Sequence, residues 1–191
     1  MFRNLFRTGG WSVAGLFAAL VLTISAPTPA TADDAAAAAL RQESAAALAH
    51  LVAQNPSAAA VNEKAVAVLV FPRILKAGLM IGGSGGNGTL FRGKEAVGYY
   101  SSLAVSYGFQ AGAQTFGYAL FFMNEDAVTY MDRNDGWEIG AGPSVVVLET
   151  GAGKKFSSSM LGKDIYAVIF DQSGLMAGVG VEGSKITQYT P

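Results

Sequence analysis

Few residues in this chain could do chemistry. His50 is the only histidine, and it lies in an alanine-rich segment without the further ligands or bases that a metal site or a nucleophilic triad needs. The serine run at positions 157–159 has no neighbouring base. Glu125 and Asp126 match the acidic first turn of an ordinary helix. The sequence therefore predicts a protein that is not an enzyme, with no catalytic residue, no cofactor and no metal site.

A glycine-rich tract at positions 82–88 nearly matches two nucleotide-binding motifs. The dinucleotide fingerprint fits the spacing from Gly83 to Gly88, but it requires a helix directly after the glycines, whereas positions 89–91 are typical of a strand. The phosphate-loop spacing ends at Lys94, but the next residue is Glu and not the Ser or Thr that binds magnesium. The tract is better interpreted as a glycine hairpin turn between two strands.

Six cations lie in or beside predicted turns and form a candidate site for anionic lipid headgroups: Arg73, Lys76, Arg92, Lys94, Lys154 and Lys155. If several of these turns share one end of the sheet, their cations can contact phosphate while neighbouring aromatic side chains enter the membrane interface. The alternative is that lysines gather in loops because loops are solvated.

The N-terminus has the pattern of an export signal. Arg3 and Arg7 precede an apolar run at positions 13–24, and a small-x-small cleavage sequence follows at 30–32. The run is shorter than the roughly 20 residues that a membrane-spanning helix needs. We therefore expect a signal peptide over residues 1–32 and a periplasmic or extracellular protein, soluble or peripherally associated with a membrane.

The mature chain predicted in this way is weakly acidic. Without Arg3 and Arg7 it has 11 Lys and Arg against 14 Asp and Glu, a net charge of −3, and it has no cysteine. A protein that binds nucleic acid would be strongly basic, so no nucleic-acid partner is predicted. Attraction to an anionic membrane must come from a local cluster of cations.

Alanine and glycine divide the chain into two parts. Residues 33–64 are rich in alanine and contain no glycine, which predicts a helical segment interrupted at Pro56. Residues 65–191 contain apolar segments separated by glycine-containing turns, with one short helix at 125–131. We expect residues 33–191 to form one globular domain.

The β-rich part shows no alternation of strands and helices. Further turns are predicted at positions 173–174 and 183–184. The pattern favours an α+β fold: an antiparallel β-sandwich or barrel-like sheet of about eight short strands, with the N-terminal helical segment packed on it.

Two long blocks of this sequence resemble a known family. They are LVFPRILKAGLMIGGSGGNGTLF at 69–91 and GLMAGVGVEGSKI at 174–186, and the stretch GWEIGAGPSVVV at 136–147 also fits. On these blocks residues 65–188 are identified as similar to the SYLF domain family. The resemblance implies binding to anionic phospholipids, notably phosphoinositides, and in eukaryotic members to actin or its regulators.

The sequence departs from that family pattern in ways that bear on function. The chain has an export signal, and the cations of its helical segment are limited to Arg41 and Lys64, which does not fit actin binding. The leading hypothesis is a lipid-binding protein at a membrane or envelope surface, with Lys76 as the strongest single candidate. The alternative is an exported structural or interaction module that forms a homo-oligomer or binds an envelope protein through an exposed apolar strand edge.

Overall fold

The computed structural model of the protein describes residues 32–133, 136–138, 142–148 and 162–191. The predicted signal peptide lies outside these ranges apart from its last residue. Lys154, Lys155 and the serine run at 157–159 also lie outside them.

Two helices precede the sheet. Helix α1 spans Ala32–Gln54 and helix α2 spans Pro56–Asn62. Between them Asn55 caps α2, because its Oδ1 accepts hydrogen bonds from the backbone N–H groups of Ser57 and Ala58, each at 3.0 Å. The break predicted at the proline is therefore confirmed, and the alanine-rich segment is helical as expected.

The remaining elements of the described residues are five strands and one helix. In chain order they are β1 (Ala67–Arg92), β2 (Glu95–Phe122), α3 (Glu125–Met131), β3 (Trp137–Glu138), β4 (Val145–Leu148) and β5 (Ile165–Gln188). The long strands β1, β2 and β5 pair antiparallel, in that order, as a three-stranded ribbon. The short strand β3 pairs antiparallel with the end of β5, and β4 pairs parallel with its beginning.

The predicted α+β fold with helices packed on a barrel-like sheet is confirmed, since the sheet is curled into a half-barrel. The glycine turns predicted within the ribbon are wrong. Positions 82–88, 173–174 and 183–184 lie inside strands, and pairing runs through the glycines, as in Gly85 with Leu103 and Gly183 with Val105. The physical reason for part of this tract is that Gly86 and Gly88 allow the close approach of another part of β1, which a local turn signal cannot reveal.

The ribbon folds back on itself near the middle of β1. A register shift lies between Leu79 and Ile81, and the intervening Met80 has a φ of +66°. Beyond this bend, a Cβ at Gly88 would lie 2.5 Å from the carbonyl oxygen of Val70. The two halves of β1, which we call its first and second legs, therefore pack against each other, and only glycine permits this distance.

The fold-back creates an inner and an outer face with a core on each. The inner core, between the legs, contains Phe71, Leu120 and Trp137. The outer core contains strand residues such as Phe121 and Tyr166, together with Leu51 and Val61 of the helices. The helices therefore cover the outer face at the end of the ribbon where Phe121 lies.

Helix α3 is held by a polar network at its start. Asn124 caps it by accepting the Ala127 N–H at 2.8 Å. Asp164 accepts hydrogen bonds from Asn124 Nδ2 at 2.9 Å and from the N–H and hydroxyl of Ser144 at 2.9 and 2.8 Å. The hydrogen bonds from Ser144 and then from Asn124 lower the pKa of Asp164.

Candidate functional site

The outer face remains exposed where the ribbon bends, beyond the helices. Large apolar side chains lie there in the open: Leu75 is 57% exposed, Leu79 76%, Met80 56% and Leu175 88%. The strand register places Leu75, Leu79 and Leu175 on the same face as Phe121 of the outer core. We call Leu75, Leu79, Met80 and Leu175 the bend patch.

A second exposed apolar surface lies on the second half of the ribbon, along β2. Leu103, Val105 and Tyr107 are 63%, 67% and 70% exposed. The residues that alternate with them are small and buried: Ser102, Ala104 and Ser106. We call Leu103, Val105 and Tyr107 the ridge.

The usual relation between size and burial is reversed along this part of β2. The inner face is crowded because the two legs approach so closely, which leaves room there for small side chains alone. The larger apolar side chains consequently point outward. A row of exposed apolar side chains makes the ridge a candidate interaction site.

Most of the ribbon around the bend patch and the ridge contains no charged residue. Positions 77–91, 96–124 and 172–181 contain no Asp, Glu, Lys, Arg or His. Burying the apolar side chains within these ranges therefore requires little of the costly desolvation of charged side chains, which lie at the borders of the surface, as Lys185 does beside Leu103. This long uncharged pattern is the sequence signal that could have indicated the site.

Two of the predicted headgroup cations lie within β1 and not in a turn. Arg73 is exposed next to the register shift that follows Phe71, and Lys76 is half-buried. Alternation along the strand places Lys76 on the face opposite Leu75. The prediction that these two residues lie at a turn is wrong, because the strand continues through Pro72.

The other two described cations lie at the far end of β1. Lys94 is exposed in the two-residue turn that joins β1 to β2. Arg92 makes a bidentate ion pair with Glu125, at 2.6 and 2.7 Å, and this hydrogen bond raises the pKa of Arg92. Arg73 and Lys76 are thus on the first leg, whereas Arg92 and Lys94 are at the turn beyond the second leg. The four described candidate cations therefore do not meet at one end of the sheet, as the prediction required.

Lys185 is a cation on the outer face that the sequence analysis missed. It is exposed and pairs directly with Leu103 at one end of the ridge. On its other side it pairs with Glu138 of β3. A cation therefore borders the ridge, with an acidic residue next to it.

An open groove of about 500 Å³ lies beside the β1–β2 turn, and its lining includes Arg92, Tyr100, Asp132 and Tyr189. The Tyr100 hydroxyl donates a hydrogen bond to Asp132. Burial, and after it this hydrogen bond, raises the pKa of Tyr100. Two of the polar side chains that line the groove, Tyr100 and Asp132, are therefore hydrogen-bonded to each other.

His50 lies at the surface of helix α1. Its side chain is half exposed, with Nδ1 at 3.3 Å from an Asp171 carboxylate oxygen and Nε2 at 2.6 Å from the Gln54 amide nitrogen. Within the described ranges, the structure contains no group of three or more His, Asp or Glu side chains arranged to hold a metal ion. In the same part of the chain, no helix is long and apolar enough to cross a membrane.

Comparison with known families supports the resemblance found in the sequence. Residues 103–190 match the Ysc84 family, described as Las17-binding protein actin regulator. This match includes the closing block at 174–186 and the stretch at 136–147, whereas the block at 69–91 lies outside it. The resemblance to the SYLF family is thus confirmed over residues 103–190, which begin within β2. A search of curated proteins found no match to the chain.

Proposed function

We propose that this chain is a lipid-binding protein without enzymatic activity, which associates with membrane surfaces that carry anionic phospholipid or phosphoinositide-type headgroups. The observation that carries the proposal is the bend patch, where four large apolar side chains are 56–88% exposed at the fold-back of the ribbon. The confirmed family resemblance supports it, because lipid binding is what that resemblance implies.

The bend patch suits shallow insertion into the interface of a bilayer. Moving its apolar surface out of water is favourable by about 25 cal/mol per Å². Deep insertion is disfavoured because β1 pairs with β2 alone among the described strands, and the open edge of a sheet needs water or another strand. The patch therefore fits the boundary between headgroups and acyl chains.

Arg73 supplies the electrostatic part of the proposed contact. It is exposed on the first leg, the leg that also carries Leu75 and Leu79. A guanidinium group binds phosphate with paired hydrogen bonds. Because the predicted mature chain has a net charge of −3, binding to anionic lipid would depend on such local cations and would weaken as salt rises.

We further propose that the chain is exported, so that it meets lipid at an envelope or outer membrane surface. The basis is the N-terminal pattern of Arg3, Arg7, the apolar run and the small-x-small sequence. Secretion of a reporter fused to residues 1–40, and its loss when the apolar run is interrupted by a charge, would test this part.

The lipid-binding proposal is tested by co-sedimentation with neutral and with anionic vesicles over a salt series. We expect binding to anionic vesicles that falls as salt rises, and a marked loss in the double variant Arg73→Glu with Lys76→Glu. The matched control is Arg41→Glu with Lys64→Glu, which changes the net charge equally but lies on the helical segment. Equal binding by both double variants would reject these cations as the contact.

A second arm of the same experiment separates a headgroup in a membrane from free phosphate. Soluble inositol phosphate is added as a competitor at the lowest salt. Competition together with vesicle binding supports headgroup recognition. Binding of the soluble compound without vesicle binding would contradict a membrane role.

A protein-interaction role is the second candidate function. The specific observation is the match to a family described as Las17-binding protein actin regulator, which suggests a protein partner for this chain as well. Co-sedimentation with filamentous actin would test the actin version directly. We expect none, because α1 and α2 present few cations.

A further inference from the structure

We propose that the ridge on β2 is a self-association surface, on which two copies of this chain pack face to face. This inference goes beyond lipid binding and does not require it. The ridge lies on the second half of the ribbon, whereas most of the bend patch lies on the first. The two legs of β1 pack against each other, so the outer surfaces of the two halves look in different directions.

The shape of this face is complementary to itself. Two of the three ridge residues are flanked by glycine: Val105 pairs with Gly83 of β1 and Gly183 of β5, and Leu103 pairs with Gly85. The face thus forms a short furrow on each side of Val105, whereas Ile81, which is 63% exposed, borders Tyr107 and Lys185 borders Leu103. A second copy rotated by a twofold axis can place its ridge in such a furrow.

The furrow over β5 is the open one. A Cβ built at Gly183 meets nothing within 4 Å, so the space above it is free. On the β1 side, a Cβ at Gly85 would lie 3.1 Å from a methyl group of Leu103, which shows that this side chain leans over β1. We therefore place Val105 of each copy over Gly183 of the other.

The distribution of charged residues on this face also favours packing against a second copy of the chain. The rows that contain Val105 and Tyr107 have no charged residue on β1 or β2, so two copies can meet without like charges in opposition. At the end of the ridge, Lys185 and Glu138 have opposite charges and lie side by side. Two copies related by a twofold axis can thus set opposite charges against each other at the rim.

The size of the face predicts a weak dimer. Three strands spaced about 4.8 Å apart, over five residues that each rise about 3.3 Å, give a patch of roughly 10 by 16 Å. This is smaller than a standard stable interface of about 800 Å² per partner. The dimer should therefore dissociate on dilution.

The test is sedimentation velocity of the full chain without lipid, over a concentration series up to about 1 mM, where a dissociation constant near 0.1 mM is visible. We expect the average mass to rise from monomer toward dimer. Val105→Thr and Gly183→Val should both remain monomeric over the same range. The matched control is Val147→Thr, since Val147 is 58% exposed on β4, away from the ridge, and this variant should dimerise like the unaltered chain.

The variant Gly183→Val distinguishes loss of the dimer from loss of folding. Because a Cβ at Gly183 meets no other atom, valine there should leave the monomer intact, which circular dichroism and the melting temperature verify. A chain that stays monomeric up to the highest concentration would overturn the proposal. So would a Val105→Thr variant that keeps the dimer but loses vesicle binding, because the ridge would then belong to the lipid contact.

Cross-linking gives the geometry of the dimer. The chain has no cysteine, so any disulfide that forms must join cysteines introduced by substitution. A mixture of the variants Val105→Cys and Gly183→Cys should form a mixed disulfide on mild oxidation, whereas Val147→Cys with Gly183→Cys should not. Equal cross-linking in both mixtures would contradict the proposed packing.

Discussion

Gly86 lies directly against the backbone carbonyl of Arg73, an earlier residue of the same strand. A single strand can meet itself in this way because β1 bends sharply around Met80. The contact joins the two legs of the ribbon and crowds the inner face. The large apolar side chains of β2 are therefore exposed, and the same fold-back produces the bend patch.

The fold-back predicts that Gly86→Ala destabilises the protein. Its Cβ would collide with the Arg73 carbonyl, and separating the legs should cost about 1–3 kcal/mol, measured by urea unfolding. Gly83→Ala is the control, because a Cβ there lies 3.6 Å from the Ala104 oxygen, an ordinary contact. Equal stability of the two variants would mean that the legs do not pack as described.

Tyr100 predicts a loss of stability at alkaline pH. Burial raises its pKa in the folded protein, so its contribution is present in full below the ordinary value of 10.0 and is lost as pH rises toward the folded value. Tyr100→Phe should reduce this alkaline loss, at a cost of about 1 kcal/mol near neutral pH because the Asp132 hydrogen bond is removed. Unfolding by denaturant from pH 7 to 11 checks both effects, and an unchanged alkaline slope in the variant would refute the assignment.

Asp164 predicts a loss of stability in acid. Its hydrogen bonds to Ser144 and Asn124 lower the folded pKa below the ordinary value of 3.8. The stabilisation is therefore present above that value and disappears as pH falls through the folded pKa. Asp164→Asn should cost about 1–2 kcal/mol at neutral pH and flatten the acid limb of the stability curve. Asp126→Asn, a change at an exposed acid in the first turn of α3, should do neither.

The ion pair of Arg92 predicts unequal roles for the candidate cations. Glu125 already binds the Arg92 guanidinium with two hydrogen bonds, whereas Arg73 is an exposed residue on the first leg. Arg73→Gln should therefore weaken binding to anionic vesicles more than Arg92→Gln, although both remove one positive charge. The comparison uses equal vesicle composition and salt. A larger effect at Arg92 would move the headgroup contact to the β1–β2 turn.

The features that the sequence predicted correctly are those with local causes. The helical segment is interrupted at Pro56 and the short helix spans residues 125–131, as expected, and Asn55 and Asn124 cap the helices that begin there. The β-rich character of residues 65–191 was also predicted correctly. Their continuity through positions 82–88 was missed, because glycine signals a turn in local sequence but here allows contact between distant parts of one strand.

The exposed apolar surface was missed for a different reason. Alternation along β2 separates Leu103, Val105 and Tyr107 from the small residues between them, but it does not say which set faces the core. That choice depends on the distance between the legs, which residues such as Gly86 set from another part of the chain. The candidate cations were chosen from turn patterns, and for Arg73 and Lys76 those turns do not exist.

The most direct test of the proposed membrane contact places a tryptophan in the bend patch. Leu79→Trp puts an indole at a side chain that is 76% exposed, and the one native tryptophan in the described residues, Trp137, is 1% exposed and supplies a constant background. With anionic vesicles, we predict a blue-shifted emission and quenching by lipids brominated near the top of the acyl chain. Binding of this variant to vesicles without a shift or quenching would contradict insertion of the bend patch.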